Sequence, residues 1–211
     1  MCELAETLIL HHRLYKRDFL WRHTDDPYRI MIAEFMLHRT KAEQAAPLYQ
    51  QFLEKYPDAN SLANARLDDV AAFTYHLGLH WRAAHFIEAC KFINEEYEGI
   101  FPKNREKLLK IPGIGDYVAG AILTVCFKER EYVIDSNIAR FINRFYGLNL
   151  SGEIRRKKSI REKAKALFNC NQPDRLLFAI LDFTALVCKP RKPECINCCL
   201  NNNCAYFRLE K

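Results

Sequence analysis

The 211-residue sequence has no run of eighteen apolar residues, which leaves no segment able to cross a bilayer as a helix. Its opening, MCELAETLILHHRLYKRDF, lacks the basic n-region, long apolar core and small-residue cleavage site of a secretory leader. No stretch alternates apolar and polar residues in the manner of a strand, so a sheet architecture has no support. There is no internal repeat, and no low-complexity linker marks a simple split. These absences predict a soluble, intracellular all-α protein without membrane association. Any second domain must then be assembled from segments distant in sequence.

What is present begins with an apolar fraction of 49%, enough for one large or two small cores. A formal charge of +6 and a pI near 8.8 are modest by themselves. The clustering says more: Arg155, Arg156, Lys157, Lys158, Arg161, Lys163 and Lys165 crowd one stretch, and Lys189, Arg191 and Lys192 another. The first cluster is equally well read as a solvated helix face. Helical spacing predicts helices over about 3–15, 27–39, 41–55, 59–64, 67–74, 80–96, 104–109, 115–127, 135–145, 157–168 and 173–186. Glycine and proline fall between them, as at Pro57, Gly78, Pro102 and Gly147.

Five of the nine cysteines lie between Cys188 and Cys204. Four of them read C-x6-C-x2-C-x5-C, namely Cys188, Cys195, Cys198 and Cys204, with Cys199 left over. In a reducing compartment such a cluster is a metal site more often than a disulfide framework. Zinc commonly uses two close-spaced ligand pairs, whereas one compact loop of four thiolates suits an iron–sulfur cubane. The single C-x2-C pair favours iron and sulfur, with zinc as the alternative. Cys2, Cys90, Cys126 and Cys170 read as small buried hydrophobes.

"LLKIPGIGDYVAGAIL" places a Pro-Gly-x-Gly turn between two helical stretches. Gly113 and Gly115 are both expected in backbone conformations denied to other residues. Consecutive amides could then converge on a phosphate oxygen at a helix N-terminus. A plain interhelical turn is the alternative. Some twenty residues later, in "YVIDSNIARFINRFYG", Asp135 precedes a helix with Ile138, Phe141, Ile142 and Phe145 on its apolar stripe. An N-cap is the simplest role for such an aspartate, and capping does not exclude chemistry.

The hairpin, the aspartate in VIDSNIAR and the cysteine tail, in this order and spacing, resemble the helix-hairpin-helix/GPD superfamily of DNA glycosylases in its iron–sulfur branch. The resemblance spans nearly the whole chain. It implies a six-helix barrel over residues 27–131 and a helical cluster domain from residues 1–26 and 132–211, with DNA in the cleft between them. It implies a [4Fe–4S] cluster on Cys188, Cys195, Cys198 and Cys204, mainly structural, in a loop whose Lys189, Arg191 and Lys192 meet DNA backbone. The lyase members carry a lysine where this chain has Tyr117. A phenol cannot form an imine with the sugar, so the expectation is base excision without strand cutting.

The segment DFLWRHTDDPYRIMIAEFMLHRT resembles the first barrel helix of mismatch thymine-DNA glycosylases and adenine glycosylases, with Glu34 at their glutamate. Ile30, Ala33, Glu34 and Leu37 share a helical face, so the carboxyl should be carried inward and keep its proton to higher pH, unless it turns to solvent. Glu34 would then serve the departing base while Asp135 stays ionised against an oxocarbenium-like sugar. Asn137 would orient Asp135 or the deoxyribose, or else be a surface residue. Leu79 matches the wedge that fills the space left by an everted base, or is an ordinary core residue. His38, Arg39 and Thr40 would face the orphaned partner base, and Tyr117 the extruded one. Leu79, the Leu-His-Arg-Thr end of the first helix and the end of the chain soon after the cysteines favour thymine or uracil opposite guanine. Adenine excision is the alternative within enzymes, and a damage-binding protein the alternative outside them. The expected partner is double-stranded DNA with a mismatch or damaged base, bound by a cytoplasmic, nucleoid-associated monomer.

Overall fold

The computed structural model describes residues 3–75, 77–78 and 82–209. The described residues are helical, with short 3₁₀ turns and no strand. Each segment read as helical from its spacing is helical over most of its described residues. The first one ends early: α1 (Glu3–His11) tightens into a 3₁₀ turn at His12–Leu14. Turns at Leu20–Arg22, Ile154–Arg156 and Asn201–Asn203, and a short helix after the last cysteine, are too brief for a periodic signal. None of the described helices is long and apolar enough to cross a membrane.

The chain forms two compact units, Asp18–Phe127, and Met1–Arg17 together with Lys128–Lys211. The boundary at residue 18 precedes the one expected at 27 because the intervening residues pack into the first of these units. Trp21 is buried there, stacked on Phe19 at 4.8 Å and edge-on to Tyr49 at 5.3 Å.

In the unit Asp18–Phe127, α2 (Pro27–Leu37) starts with Pro27 at its first position and with the Asp26 side chain accepting from the Tyr28 amide at 2.9 Å. It buries residues on almost every side, from Tyr28 and Ile30 to Phe35 and Met36, as a central helix must. Against it pack α3 (Ala42–Lys55) and α8 (Asp116–Cys126), the latter buried continuously from Ala119 to Val125. Helices α4 (Ala59–Ala63) and α5 (Leu67–Tyr75) lie on α6 (Ala83–Tyr97), and α7 (Arg105–Leu108) on α8. Phe86 joins these layers, 5.2 Å from Phe35 and 5.7 Å from Phe52.

The other unit packs α11 (Pro173–Leu186) between α1 and α9 (Ser136–Phe145), with α10 (Lys158–Phe168) and α12 (Ala205–Leu209) also on α9. Phe183 meets Phe141 edge-on at 5.5 Å and Tyr15 at 5.8 Å. Beside it the Asp182 side chain is fully buried and accepts from His12 Nε2 at 2.8 Å and from the Arg17 amide at 3.0 Å. A buried carboxylate thus ties the N-terminal segment to α11. Removing it leaves those donors facing a cavity, so Asp182→Ala should lower stability by about 3–5 kcal/mol in denaturant unfolding followed by circular dichroism. A loss below about 1 kcal/mol would show that the tie is not structural.

Candidate active site

Asp135 is the N-cap of α9. Its Oδ1 accepts from the Ile138 amide at 2.7 Å, which confirms the capping role. The residue is half-exposed, and its second oxygen, Oδ2, accepts from the Asn137 side-chain amide at 2.8 Å. Asn137 is therefore not a surface bystander. Its own Oδ1 accepts from Arg140 Nη1 at 2.9 Å, while Arg140 Nη2 donates to the carbonyls of Thr184 at 3.2 Å and Cys188 at 3.1 Å. Burial works against the Arg140 cation, and the negative groups at Cys188 and Asp135 work for it. A continuous hydrogen-bond chain runs from the Asp135 carboxylate to the first cysteine of the C-terminal cluster.

One turn along α9, Arg144 repeats the arrangement. It donates to the carbonyls of Lys189 at 2.7 Å and Pro190 at 3.0 Å, and reaches Cys188 Sγ at 3.7 Å. Burial pushes the Cys188 thiol up, against the pull of Arg144 and Arg140, which favour the thiolate. Cys188, Cys195, Cys198 and Cys204 all line one recess of about 350 Å³, a volume that counts its solvent-open part. Phe141 and Leu200 supply apolar wall, and Cys199 is not part of the lining. The Leu200 amide points at Cys198 Sγ, 3.4 Å away. Four thiols share this recess, with an amide donor at Cys198 and Arg144 at Cys188, though among the described residues no three of them are drawn together as metal ligands. Of the basic residues expected on this loop, Arg191 and Lys192 are exposed, whereas Lys189 Nζ is paired with Glu194 at 2.7 Å.

In the unit Asp18–Phe127, Glu34 lies half-buried on α2 between the buried Ala33 and Phe35, neither fully solvated nor sealed. The hairpin packs beside it. Gly113 has φ +79°, and a Cβ there would come within 3.0 Å of the Phe35 ring, so both conformation and space demand glycine. Gly115 departs from expectation: its φ of −92° is open to any residue, and a Cβ would meet nothing within 4 Å. The turn needs one left-handed residue, which Gly113 supplies. Gly115 is the N-cap of α8 and makes no side-chain cap hydrogen bond, and Tyr117, in the first turn of that helix, is half-buried. At the other end of α2, Thr40 Oγ1 contacts the Leu77 carbonyl at 3.5 Å, and Arg39 takes a left-handed φ of +62°. His38 Nε2 lies 3.3 Å from Arg82 Nη2. Burial and the nearby charge of Arg39 both weaken Arg82's hold on its proton. Leu79 lies outside the described residues.

Residues 32–170 match the family described as HhH-GPD superfamily base excision DNA repair protein. The chain belongs to this superfamily. It is 35% identical to the thymine-DNA glycosylase of Aeropyrum pernix, over 97% of this chain and 94% of the relative. It is 31% identical to the thymine/uracil-DNA glycosylase of Methanothermobacter thermautotrophicus, over 96% and 92%. An adenine DNA glycosylase of Buchnera aphidicola is 29% identical over 95% of the chain and 57% of its own length. Among solved structures, a thermostable thymine-DNA glycosylase superposes with a TM-score of 0.92 at 31% identity, covering 98% and 95% of the two chains. An endonuclease III trapped covalently on DNA shares the fold with a TM-score of 0.79 at 16% identity, over 98% and 94%.

Three arginines of this HhH-GPD chain are not singled out by the sequence: Arg82, Arg140 and Arg144. The pair on α9 is spaced i, i+4 opposite the stripe of Ile138 and Phe141, which puts both on one face. That spacing is a usable signal, but the acceptors they meet are backbone carbonyls, which no side-chain pattern announces. The two hairpin glycines should separate cleanly in thermal unfolding. Gly113→Ala should cost more than about 1 kcal/mol, and Gly115→Ala should stay within about 0.5 kcal/mol of wild type. Equal losses would mean that the backbone conformation does not distinguish them.

Proposed function

We propose that this chain is a monofunctional DNA glycosylase that hydrolyses the N-glycosidic bond of a mispaired thymine or uracil opposite guanine. The reading rests chiefly on likeness along nearly the whole chain, at 35% and 31% identity, to glycosylases named for thymine and thymine/uracil. In this reading duplex DNA is the partner and the protein acts as a monomer. The target nucleotide leaves the stack, and the Asp135 carboxylate, held by the Ile138 amide and Asn137, faces the positive charge that develops on its sugar. Glu34 supplies the acid at the departing base, as the second member of a carboxyl pair. Tyr117 lies against that base. His38, Arg39 and Thr40 face the orphaned guanine, and Leu79 is the wedge. The hairpin at Gly113 and Gly115 grips phosphate at the start of α8, and Arg191 and Lys192 add backbone contacts.

The recess formed by Cys188, Cys195, Cys198 and Cys204 is where a [4Fe–4S] cluster would be held. Bound there, such a cluster would cross-link the C-terminal loop through four thiolates without taking part in base removal. This role depends on iron stoichiometry, which is measurable. Purified protein should carry about four irons per chain with broad visible absorption. Cys199→Ser should keep that content, because Cys199 does not line the recess, while Cys198→Ser should lose it. Equal loss in both variants would place the ligands elsewhere.

The activity itself is tested with duplexes carrying T, U, A or 8-oxoguanine opposite each base, scoring abasic sites with and without alkali. The wild type should release T and U opposite G, should cut the strand only after alkali and should not trap on DNA under borohydride. Asp135→Asn should slow excision by at least about 10²–10³-fold while retaining binding. Release of adenine alone would replace the substrate, and borohydride trapping would restore a lyase.

A further inference from the structure

The basic stretch from Arg155 to Lys165 has no role in the proposed function, and the structure divides it in two. Lys163 and Lys165 lie over the rings of Tyr146 and Tyr132, at 4.6 and 5.4 Å from their centroids. Their charges complete local cation–π contacts. The remainder sits on the 3₁₀ turn Ile154–Arg156 and the first turn of α10. Arg156, Lys157, Lys158 and Arg161 are all exposed, and Lys158 Nζ stands 3.8 Å from Glu162, a long ion pair.

This arrangement works against the helix that carries it. Helix N-termini are stabilised by capping side chains and negative charge, because their first amides lack partners and the dipole is positive there. α10 instead has Lys157 at its N-cap, making no side-chain cap hydrogen bond, and Lys158 next, with no acidic residue in the first turn. Each such cation opposes the dipole in that position. Core packing gains nothing from these cations, since the residues α10 buries are Ile160, Ala164, Leu167 and Phe168. The ridge also lies beside the candidate catalytic carboxylate. The turn Ile154–Arg156 packs against α9, which Asp135 caps, and the Arg155 cation is held by the charges of Glu153 and, more weakly, Asp135. Arg155 itself is forked onto Glu153 at 2.6 and 2.8 Å.

We infer that Arg156, Lys157, Lys158 and Arg161 form a phosphate-binding ridge for the DNA flanking the nucleotide at Asp135, separate from the hairpin and the cysteine loop. Its occupant is the polyanionic backbone of a duplex. Predominantly positive charge, exposure and a placement that opposes the helix dipole suit phosphates rather than bases. The inference rests on the proposed function only for the identity of the duplex.

The test is binding of a fluorescent 25-base-pair duplex, matched or carrying G·T, across a salt series, with the full-length protein and a variant bearing Arg156→Gln, Lys157→Gln, Lys158→Gln and Arg161→Gln. The slope of log K against log salt should fall by about 2–4, roughly 0.9 for each phosphate that the variant no longer neutralises, on both duplexes alike. The melting temperature should stay level or rise, since the cations oppose the dipole. An unchanged slope with affinity within twofold would overturn the ridge, and a lower melting temperature with an unchanged slope would assign these residues to the fold. The readout does not require excision. A protein that released no base would still give the slope, whereas normal excision with an unchanged slope would remove the ridge alone.

Discussion

The hydrogen-bond chain that leaves Asp135 through Asn137 and Arg140 and ends on the Cys188 carbonyl constrains everything around the candidate site. Both carboxylate oxygens are committed, one to a backbone amide and one to a side chain that is itself gripped. The carboxylate's orientation is therefore set by the backbone of α9 and by the end of α11 together. Arginine suits the middle position because its planar fork serves Asn137 and two carbonyls in divergent directions, which the compact ammonium of lysine cannot match. Arg144 applies the same geometry to Lys189 and Pro190. One face of α9 is thereby given to fixing the cysteine loop, while its apolar face, with Ile138, Phe141 and Ile142, packs into the core.

Asp135 also shows how a residue that caps a helix can still present its carboxylate at the surface. As an N-cap it satisfies an amide that would otherwise lack a partner, a contribution of about 1 kcal/mol. Capping consumes only one oxygen of the carboxylate. Asn137 takes up the second oxygen while leaving the group half-exposed. The hairpin divides its work differently. Gly113 satisfies the fold, by conformation and by its contact with Phe35, and Gly115 answers to nothing within the chain. A glycine that neither its φ nor its neighbours require points to something outside the protein that approaches the backbone there.

The helical architecture was legible because α3, α9 and α10 have strong apolar stripes, and stripes report on period, while α2 and α8 are long apolar runs. Several of the shortest elements were not: Leu20–Arg22, Ile154–Arg156 and α12 span three to five residues, whereas α4 and α7, equally short, are announced by the breakers and caps around them. Asp135, Glu34 and the four cysteines could be singled out because residue type and spacing are the signal for a cap, an acid on an apolar face and a thiolate loop. What escaped was set by backbone. Arg140 and Arg144 meet carbonyls, the pairing of Lys189 with Glu194 depends on how the loop folds, and the ordinary conformation of Gly115 cannot be told from the unusual one of Gly113 by composition.

The charge layout separates two tasks that the bulk value of +6 merges. Several cations are neutralised where they stand, Arg105 by Asp116 at 2.7 Å, Arg155 by Glu153 and Lys189 by Glu194. These pairs fix local geometry and contribute little long-range field. Arg156, Lys157, Arg161, Arg191 and Lys192 are exposed and project their charge into solvent. Attraction to a polyanion scales with the second group and is indifferent to sequence. In the proposed function, choice of base falls instead to short-range groups such as Glu34 and Tyr117. Affinity and selectivity therefore rest on different residues, and a change in one set can alter how strongly DNA is held without altering which base is removed.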